Sequence, residues 1–492
     1  MDSERIQDCL DLIHQARQLP VDDARRGLLE QAAGELVRDG RLRRRAEARA
    51  ARAAADAELL AATAMGAPDR VMDAALSART VHERALTVGE YVRLRPGPSA
   101  ATRPLLNRPQ RCYVCKNHYR QVHAFYHLLC PECADENLAH RTSRTDLTGR
   151  RALLTGGRVK IGHQVALMLL RDGAELTVTS RFPQDTVRRF AAAPDAERWW
   201  HRLRIAALDL RDPRQVLAFT DHLLAQGLPL DVLINNAAQT LRRSPQAYSA
   251  LSAAETTPPP APTPLTAPRI WTAPGFSVPG PRTAVPAWTA ELAPHVRVPE
   301  ALPGTAHTAD TAVAVTPPQA AVDEAGLLPE TAATNSWTLR LGQIDPTELL
   351  EVQLVNAVAP FLLADRLLPL LDASPHPHRY LINVSAVEGQ FTVRNKTGDH
   401  PHTNMAKAAL NMLTRTSAAE LATRGIHTCS VDTGWVTDEK PLPARERHAA
   451  TGWRPPLDTV DGAARVYHPI VQGQAGAPVH GILLKDYRQV PW

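Results

Sequence analysis

From residue 146 onward the hydrophobic positions fall into short unbroken runs, each followed by a stretch of helical period. The runs are Ala152–Thr155, Leu176–Thr179, Ile205–Leu208, Val232–Asn235, Tyr380–Val384, His427–Val431 and Gly481–Leu484. A short apolar run without alternation is the pattern of a strand buried on both faces. Helical patterns between most of them predict an α/β architecture, a doubly wound parallel sheet covered by helices on both sides.

The rest of the chain follows other rules. Residues 1–105 carry apolar positions at three- and four-residue spacing, as in "CLDLIHQARQL" and "VMDAALSARTVHERAL", and predict a helical N-terminal region. "RPGPSAATRP" (95–104) breaks that period and reads as a linker. Residues 239–336 hold 17 of the 41 prolines, with "TTPPPAPTPLTAP" at their centre. Proline removes a backbone donor, so this stretch cannot fill a helix or a central strand. It predicts a long irregular insertion in which Trp271 and Trp288 are incidental. The expected organisation is therefore a helical region (1–105), a small metal-binding module (108–140) and a domain from 146 to 492 carrying that insertion.

Composition adds boundaries. The chain has 492 residues, 44% hydrophobic and 5% aromatic, with a formal net charge of +5. That length predicts two or three units. No apolar run reads as a membrane span, and the first twenty residues lack a secretory apolar core, so a soluble cytoplasmic protein is expected. The arginine-rich stretch 38–58 is interleaved with acids and reads as a solvated helix face rather than a nucleic-acid contact.

Six cysteines are present, four of them in "CYVCKNHYRQVHAFYHLLCPEC" as Cys112, Cys115, Cys130 and Cys133. Two Cys-x-x-Cys turns can place four thiolates around one tetrahedral ion, which predicts a structural Zn2+ with no open coordination position. The loop between them mixes Tyr113, Tyr119, Phe125 and Tyr126 with Arg111, Lys116 and Arg120. Such residues form the small core of a zinc module or a protein-binding surface; contact with single-stranded nucleic acid is the weaker alternative.

The chemistry concentrates in "LLTGGRVKIGHQVALMLLRDGAELTVTSR" (153–181). Strand, glycine turn, helix and second strand follow one another in the order of a Rossmann-type dinucleotide site. Gly156 allows the sharp turn, Gly162 the close packing of helix on sheet, and the helix N-terminus offers N–H groups to a pyrophosphate. The second strand ends in Ser180-Arg181. A basic residue there favours the 2′-phosphate of NADP over the free hydroxyl of NAD, with Arg158 and Lys160 nearby.

On these residues the chain resembles the short-chain dehydrogenase/reductase family. Thr155, Gly156 and Gly162 match its glycine motif, with Lys160 where a middle glycine is usual, similar to the pteridine-reductase-like branch. The resemblance extends through most of 146–492. It implies cofactor contacts from Ile161, Asp209, Leu210, Asn235 and Ala237 (the "NNAA" stretch) and from Gly434 and Thr437 in "DTGWVT". It implies catalytic roles for Ser385, for Asn356 as holder of a relay water, and for Lys407, which also binds the nicotinamide ribose. It further implies a homodimer packed through the helices of Asn356 and Lys407.

One position departs from the family. The tyrosine expected four residues before Lys407 is Thr403. An aliphatic hydroxyl is a far weaker acid than a phenol and is shorter by a ring. Ser385 and Thr403 are separated by a longer loop than usual, ending "RNKTGDHPH", which brings His400 and His402 near the gap. A histidine can transfer protons near neutrality, and His402 is the adjacent candidate. Two readings follow: an NADP-dependent oxidoreductase of a small-molecule substrate with a displaced acid, or a catalytically altered NADP-binding adaptor or sensor using its zinc module for a protein partner.

Overall fold

Within the predicted runs, successive side chains bury on opposite faces. Leu153, Leu233 and Leu381 pack with Phe219, Leu363 and Leu367 on one side. Leu154, Ile234 and Ile382 pack with Val165, Leu169 and Val466 on the other. Both faces are therefore apolar and both are covered, as a central parallel sheet requires. A computed structural model of the chain describes residues 3–68, 70, 104–256, 269–280 and 322–492. The helical pattern at 71–86, all but the last residue of the linker at 95–104, and Trp288 lie outside those residues.

Each of the seven runs contains or overlaps a strand: β3 (Arg151–Leu154), β4 (Glu175–Ser180), β5 (Leu203–Ala207), β6 (Val232–Asn235), β8 (Arg379–Ser385), β9 (Ile426–Asp432) and β10 (Leu483–Lys485). With β7 (Arg269–Thr272) and β11 (Arg488–Val490) they form one nine-stranded sheet, ordered β11-β10-β9-β8-β6-β3-β4-β5-β7. Every pair is parallel except the terminal β10–β11 hairpin.

The insertion is not wholly irregular. It contributes a short helix, Ser249–Glu255, and the edge strand β7, which pairs with β5. Trp271 of β7 is no incidental residue: its ring lies 5.2 Å from Phe219 and is stacked 4.9 Å from His222. Glu255 accepts hydrogen bonds from Gln184 N and Asp185 N at the start of helix Pro183–Ala191. The proline-based expectation holds in that β7 sits at the edge, where one side of its backbone needs no partner.

The helix-rich N-terminus comprises Ser3–Ala16 and Ala24–Ala61. Asp23 caps the second of these by accepting from Arg25 N, and Asp56 near its other end accepts from Asn107 N and Arg108 N. Helix Pro346–Asp372 is long and apolar enough by composition to cross a membrane, contrary to the reading of the sequence, although half of its most apolar window is buried within the fold. It contains a π turn at Leu354–Val358, around Asn356.

The cysteine-bearing segment forms a β1–β2 hairpin (Leu105–Arg111 with His118–Gln121) followed by helix Pro131–Arg141. It docks on the large sheet domain through buried charge. Arg141 binds Asp458 through two contacts of 2.5 and 2.8 Å, and Tyr126 donates to Asp461 at 2.6 Å. Arg465 reaches back to Asn137 at 2.7 Å. The apolar part of this contact joins Tyr126 and Leu129 to Val436 and Leu457.

Candidate functional site

The carboxyl ends of the central strands open into a cleft of about 990 Å³, where a doubly wound sheet binds its ligand. Its first wall is the glycine turn. Gly156 has φ +70, and a Cβ there would stand 2.9 Å from the Cα of Ala237. A Cβ on Gly162 would stand 2.1 Å from the carbonyl oxygen of Gly156, so the helix Lys160–Arg171 starts this close to the strand only because position 162 lacks a side chain. Asn236 locks the turn by donating to the carbonyls of Thr155 and Gly156.

Most predicted cofactor residues line this cleft: Gly156, Arg158, Lys160, Ile161, Gly162, Ser180, Arg181, Asp209, Leu210, Ala237, Lys407, Gly434 and Thr437. Two are placed elsewhere. Thr155 is buried behind the turn, where its hydroxyl accepts from Asn236 N and Ala237 N. Asn235 is buried between strands and donates to Asn383 at 2.9 Å, so the cleft-facing asparagine of the pair is Asn236.

The three cations at this end are not equivalent. Arg158 is paired with Asp185 at 2.7 Å and Lys160 with Glu439 at 3.3 Å. Burial raises the Glu439 carboxyl, but the charge and hydrogen bond of Lys160, the Thr437 hydroxyl and the charge of Arg243 together outweigh it and bring it to about 2. Arg181 has no carboxylate at ion-pair distance among the described residues; it lies over the rings of Phe182 and Tyr248 at 6.0 and 5.5 Å. Asp209 is clamped by Arg211, with contacts of 2.7 to 3.1 Å.

At the other end, Ser385 closes β8 with a buried hydroxyl that has no partner among the described residues. Lys407 lies on helix Pro401–Thr423 and donates to the carbonyl of Val384 at 2.8 Å. Burial presses its ammonium down to about 8. His400, Asn404 and Lys407 are spaced i, i+4, i+7 and all face the cleft.

The remaining catalytic candidates are turned away from it. Thr403 is 1% exposed and is not part of the cleft wall. His402, the adjacent candidate acid, is equally buried and contacts Glu348 at 3.2 Å. Two residues along a helix rotate a side chain by about 200°, which carries His402 to the far side from the His400 face. Asn356 is spent on backbone: its amide accepts from Gln239 N and donates to Gln239 O. His400 caps the helix at φ +42, its ring stacked 4.1 Å from Trp337 and its Nδ1 2.9 Å from the Trp337 carbonyl.

Several wall residues carried no signal in the sequence. Trp337, Lys396 and Asn404 line the reacting end, and so do Tyr113 and Lys116 from the cysteine loop. That loop brings the sulfurs of Cys112, Cys115, Cys130 and Cys133 within 4.8 Å of one another, with Cys115 and Cys130 at 3.7 Å. Sulfurs around a tetrahedral zinc at 2.3 Å stand about 3.8 Å apart, so the cluster fits one ion.

A Rossmann-type sheet with a glycine turn, a serine at the end of the fifth central strand and a lysine on the next helix defines a nucleotide-dependent oxidoreductase site. Two sequence families match, described as "short chain dehydrogenase" over residues 150–257 and "Enoyl-(Acyl carrier protein) reductase" over 308–451. The chain belongs to the short-chain dehydrogenase/reductase family of NAD(P)-dependent oxidoreductases. An uncharacterized protein of Acanthamoeba polyphaga mimivirus is 30% identical over 380 residues, 73% of this chain and 71% of the relative. A "Probable oxidoreductase" of Streptomyces antibioticus is 42% identical over 95 residues, 19% of this chain and 30% of its own length. NADPH-bound carbonyl reductase from chicken fatty liver has a solved structure 18% identical, covering 70% of this chain and all of that one, with a TM-score of 0.41.

Proposed function

We propose that this protein is an NADP(H)-dependent oxidoreductase of a small carbonyl or alcohol substrate, with a proton donor displaced from the usual tyrosine position. The observation that carries this reading is the continuity of one cleft from Arg181 to Ser385, His400 and Lys407. Arg181, free of carboxylate partners among the described residues, offers a fork of donors to a 2′-phosphate. Lys407 holds the nicotinamide ribose, and the nucleotide supplies or accepts the hydride. The unpartnered hydroxyl of Ser385 holds the substrate oxygen.

His400 takes the proton-transfer role that neither Thr403 nor His402 can fill. A carbonyl accepts at its Nδ1, so Nδ1 carries a hydrogen and Nε2 is left to exchange a proton. The four cysteines hold a structural Zn2+, consistent with their spacing. The exposed apolar side chains Val358, Phe361, Met405 and Met412, on the helices of Asn356 and Lys407, favour a homodimer across that face.

The reading is tested by titrating the purified protein with NADPH and NADH, then following NADPH consumption over a panel of carbonyl compounds. Tighter binding of NADPH is expected. His400→Ala should lower turnover at least tenfold, whereas His402→Ala should not lower it. His400→Asn, which tolerates the left-handed backbone, serves as the control for helix capping. Absence of nucleotide affinity would sink the proposal; full turnover in both His400 variants would remove the histidine from it.

A further inference from the structure

The segment Thr433–Thr437 is stitched to a distant part of the chain. Gly434 turns at φ +78, and its N–H donates to Asp432 at 2.8 Å. The next N–H, that of Trp435, donates at 2.8 Å to the phenol oxygen of Tyr113, 322 residues earlier in sequence. Tyr113 sits inside the first Cys-x-x-Cys turn, between Cys112 and Cys115. The turn is closed by backbone bonds from Cys112 N to Asn117 O and from Lys116 N to Cys112 O. Tyr113 is itself fixed to the second cysteine pair's approach by donating its N–H to Leu128 O. A Cβ on Gly434 would approach the Tyr113 oxygen to 3.3 Å, so the phenol packs directly against the backbone of this turn.

We infer that Tyr113 is a positioning residue for the reacting end of the cleft, through which metal held by the four cysteines sets the conformation of 433–437. The physical link is short. Four sulfurs on one ion leave the Cys112–Cys115 turn a single backbone path, and that path determines where the phenol oxygen stands. The phenol oxygen then determines where the Trp435 N–H points. Without the ion the turn gains conformational freedom, and the segment loses the acceptor that orders it. The inference rests on the nucleotide-binding role proposed for this cleft only for its effect on affinity; the ordering of 433–437 is a property of the chain alone.

Two readouts on the full-length protein separate these. Hydrogen exchange of the peptide spanning 433–437, measured without nucleotide, reports the ordering directly. Tyr113→Phe keeps the ring and all four thiols, so its metal content should match that of the unaltered chain. Its 433–437 amides should exchange about tenfold faster, the effect of losing one hydrogen bond. Stripping the metal with a chelator should give the same acceleration in the unaltered protein and no additional acceleration in Tyr113→Phe. NADPH affinity, by fluorescence titration, should weaken about five- to tenfold in both cases without summing. Unchanged exchange in Tyr113→Phe, or a full further effect of chelation in that variant, would overturn the inference. If exchange responds as expected while the unaltered protein has no NADPH affinity, the positioning stands and the cofactor assignment falls.

Discussion

The two ends of the cleft are built in opposite ways. The phosphate end comes from one contiguous stretch, residues 153–181, whose strand, turn and helix would form the same concavity in any chain of this order. The reacting end is assembled from pieces far apart in sequence: the cysteine loop, Trp337, the segment 384–407 and the segment 432–440. The contiguous end depends on two missing Cβ atoms. The assembled end depends on tertiary contacts, each of which can be loosened separately. The departure from the family pattern at Thr403 falls in the segments that build the assembled end.

The largest effect should follow from filling the first end. Gly162→Val places carbon where the Gly156 carbonyl stands 2.1 Å from a Cβ. NADPH affinity should fall more than about 100-fold, measured by fluorescence titration, because the helix must withdraw from the strand. A smaller change should come from the charge beside it. Arg181→Glu removes the fork and adds a repulsive carboxylate, and the ratio of NADPH to NADH affinity should drop roughly 30-fold.

Lys407 offers a milder probe of the reacting end. Its ammonium is charged below about 8 and discharges above, because burial favours the neutral amine. A charged donor bonds a ribose hydroxyl more strongly than a neutral one. NADPH affinity should therefore decline about fivefold as pH rises through 8, and Lys407→Met should flatten that profile. The same depressed value has a stability counterpart: the cost of burying the charge is present below pH 8 and is relieved as pH rises toward the unfolded value near 10.5. The smallest effect on the cleft is expected from His402→Ala. It should leave NADPH affinity within twofold while lowering stability by about 2 kcal/mol in urea unfolding, since Glu348 would stay buried without its partner.

Legibility in the sequence tracks the same division. The seven apolar runs located strands because residues buried on both faces must be apolar wherever the fold places them. The glycine turn, Arg181, Ser385 and Lys407 were legible because each belongs to a local motif. β7 was hidden because "RIWT" is short and lies among prolines, and its pairing with β5 is a long-range event. His402 is turned from the cleft and His400 toward it for a geometric reason: nearness along a chain says nothing about which side of a helix a residue occupies until the helix register is known. Asn236 rather than Asn235 faces the cleft by the same one-residue logic, since neighbouring residues at a strand's end face opposite sides. Tyr113 could not have been placed in the cleft at all, because no spacing rule relates it to Trp435.

The edge strand β7 has a consequence for shortening the chain. β5 would otherwise end the sheet with a row of unpaired donors and acceptors, and β7 takes up that row over Arg204–Ala207. The four-residue cargo of the insertion, Arg269–Thr272, is therefore the part the sheet cannot spare. A deletion that spares the cargo should remain monodisperse, and one that removes it should bare a sticky flank through which sheets of separate molecules can zip together.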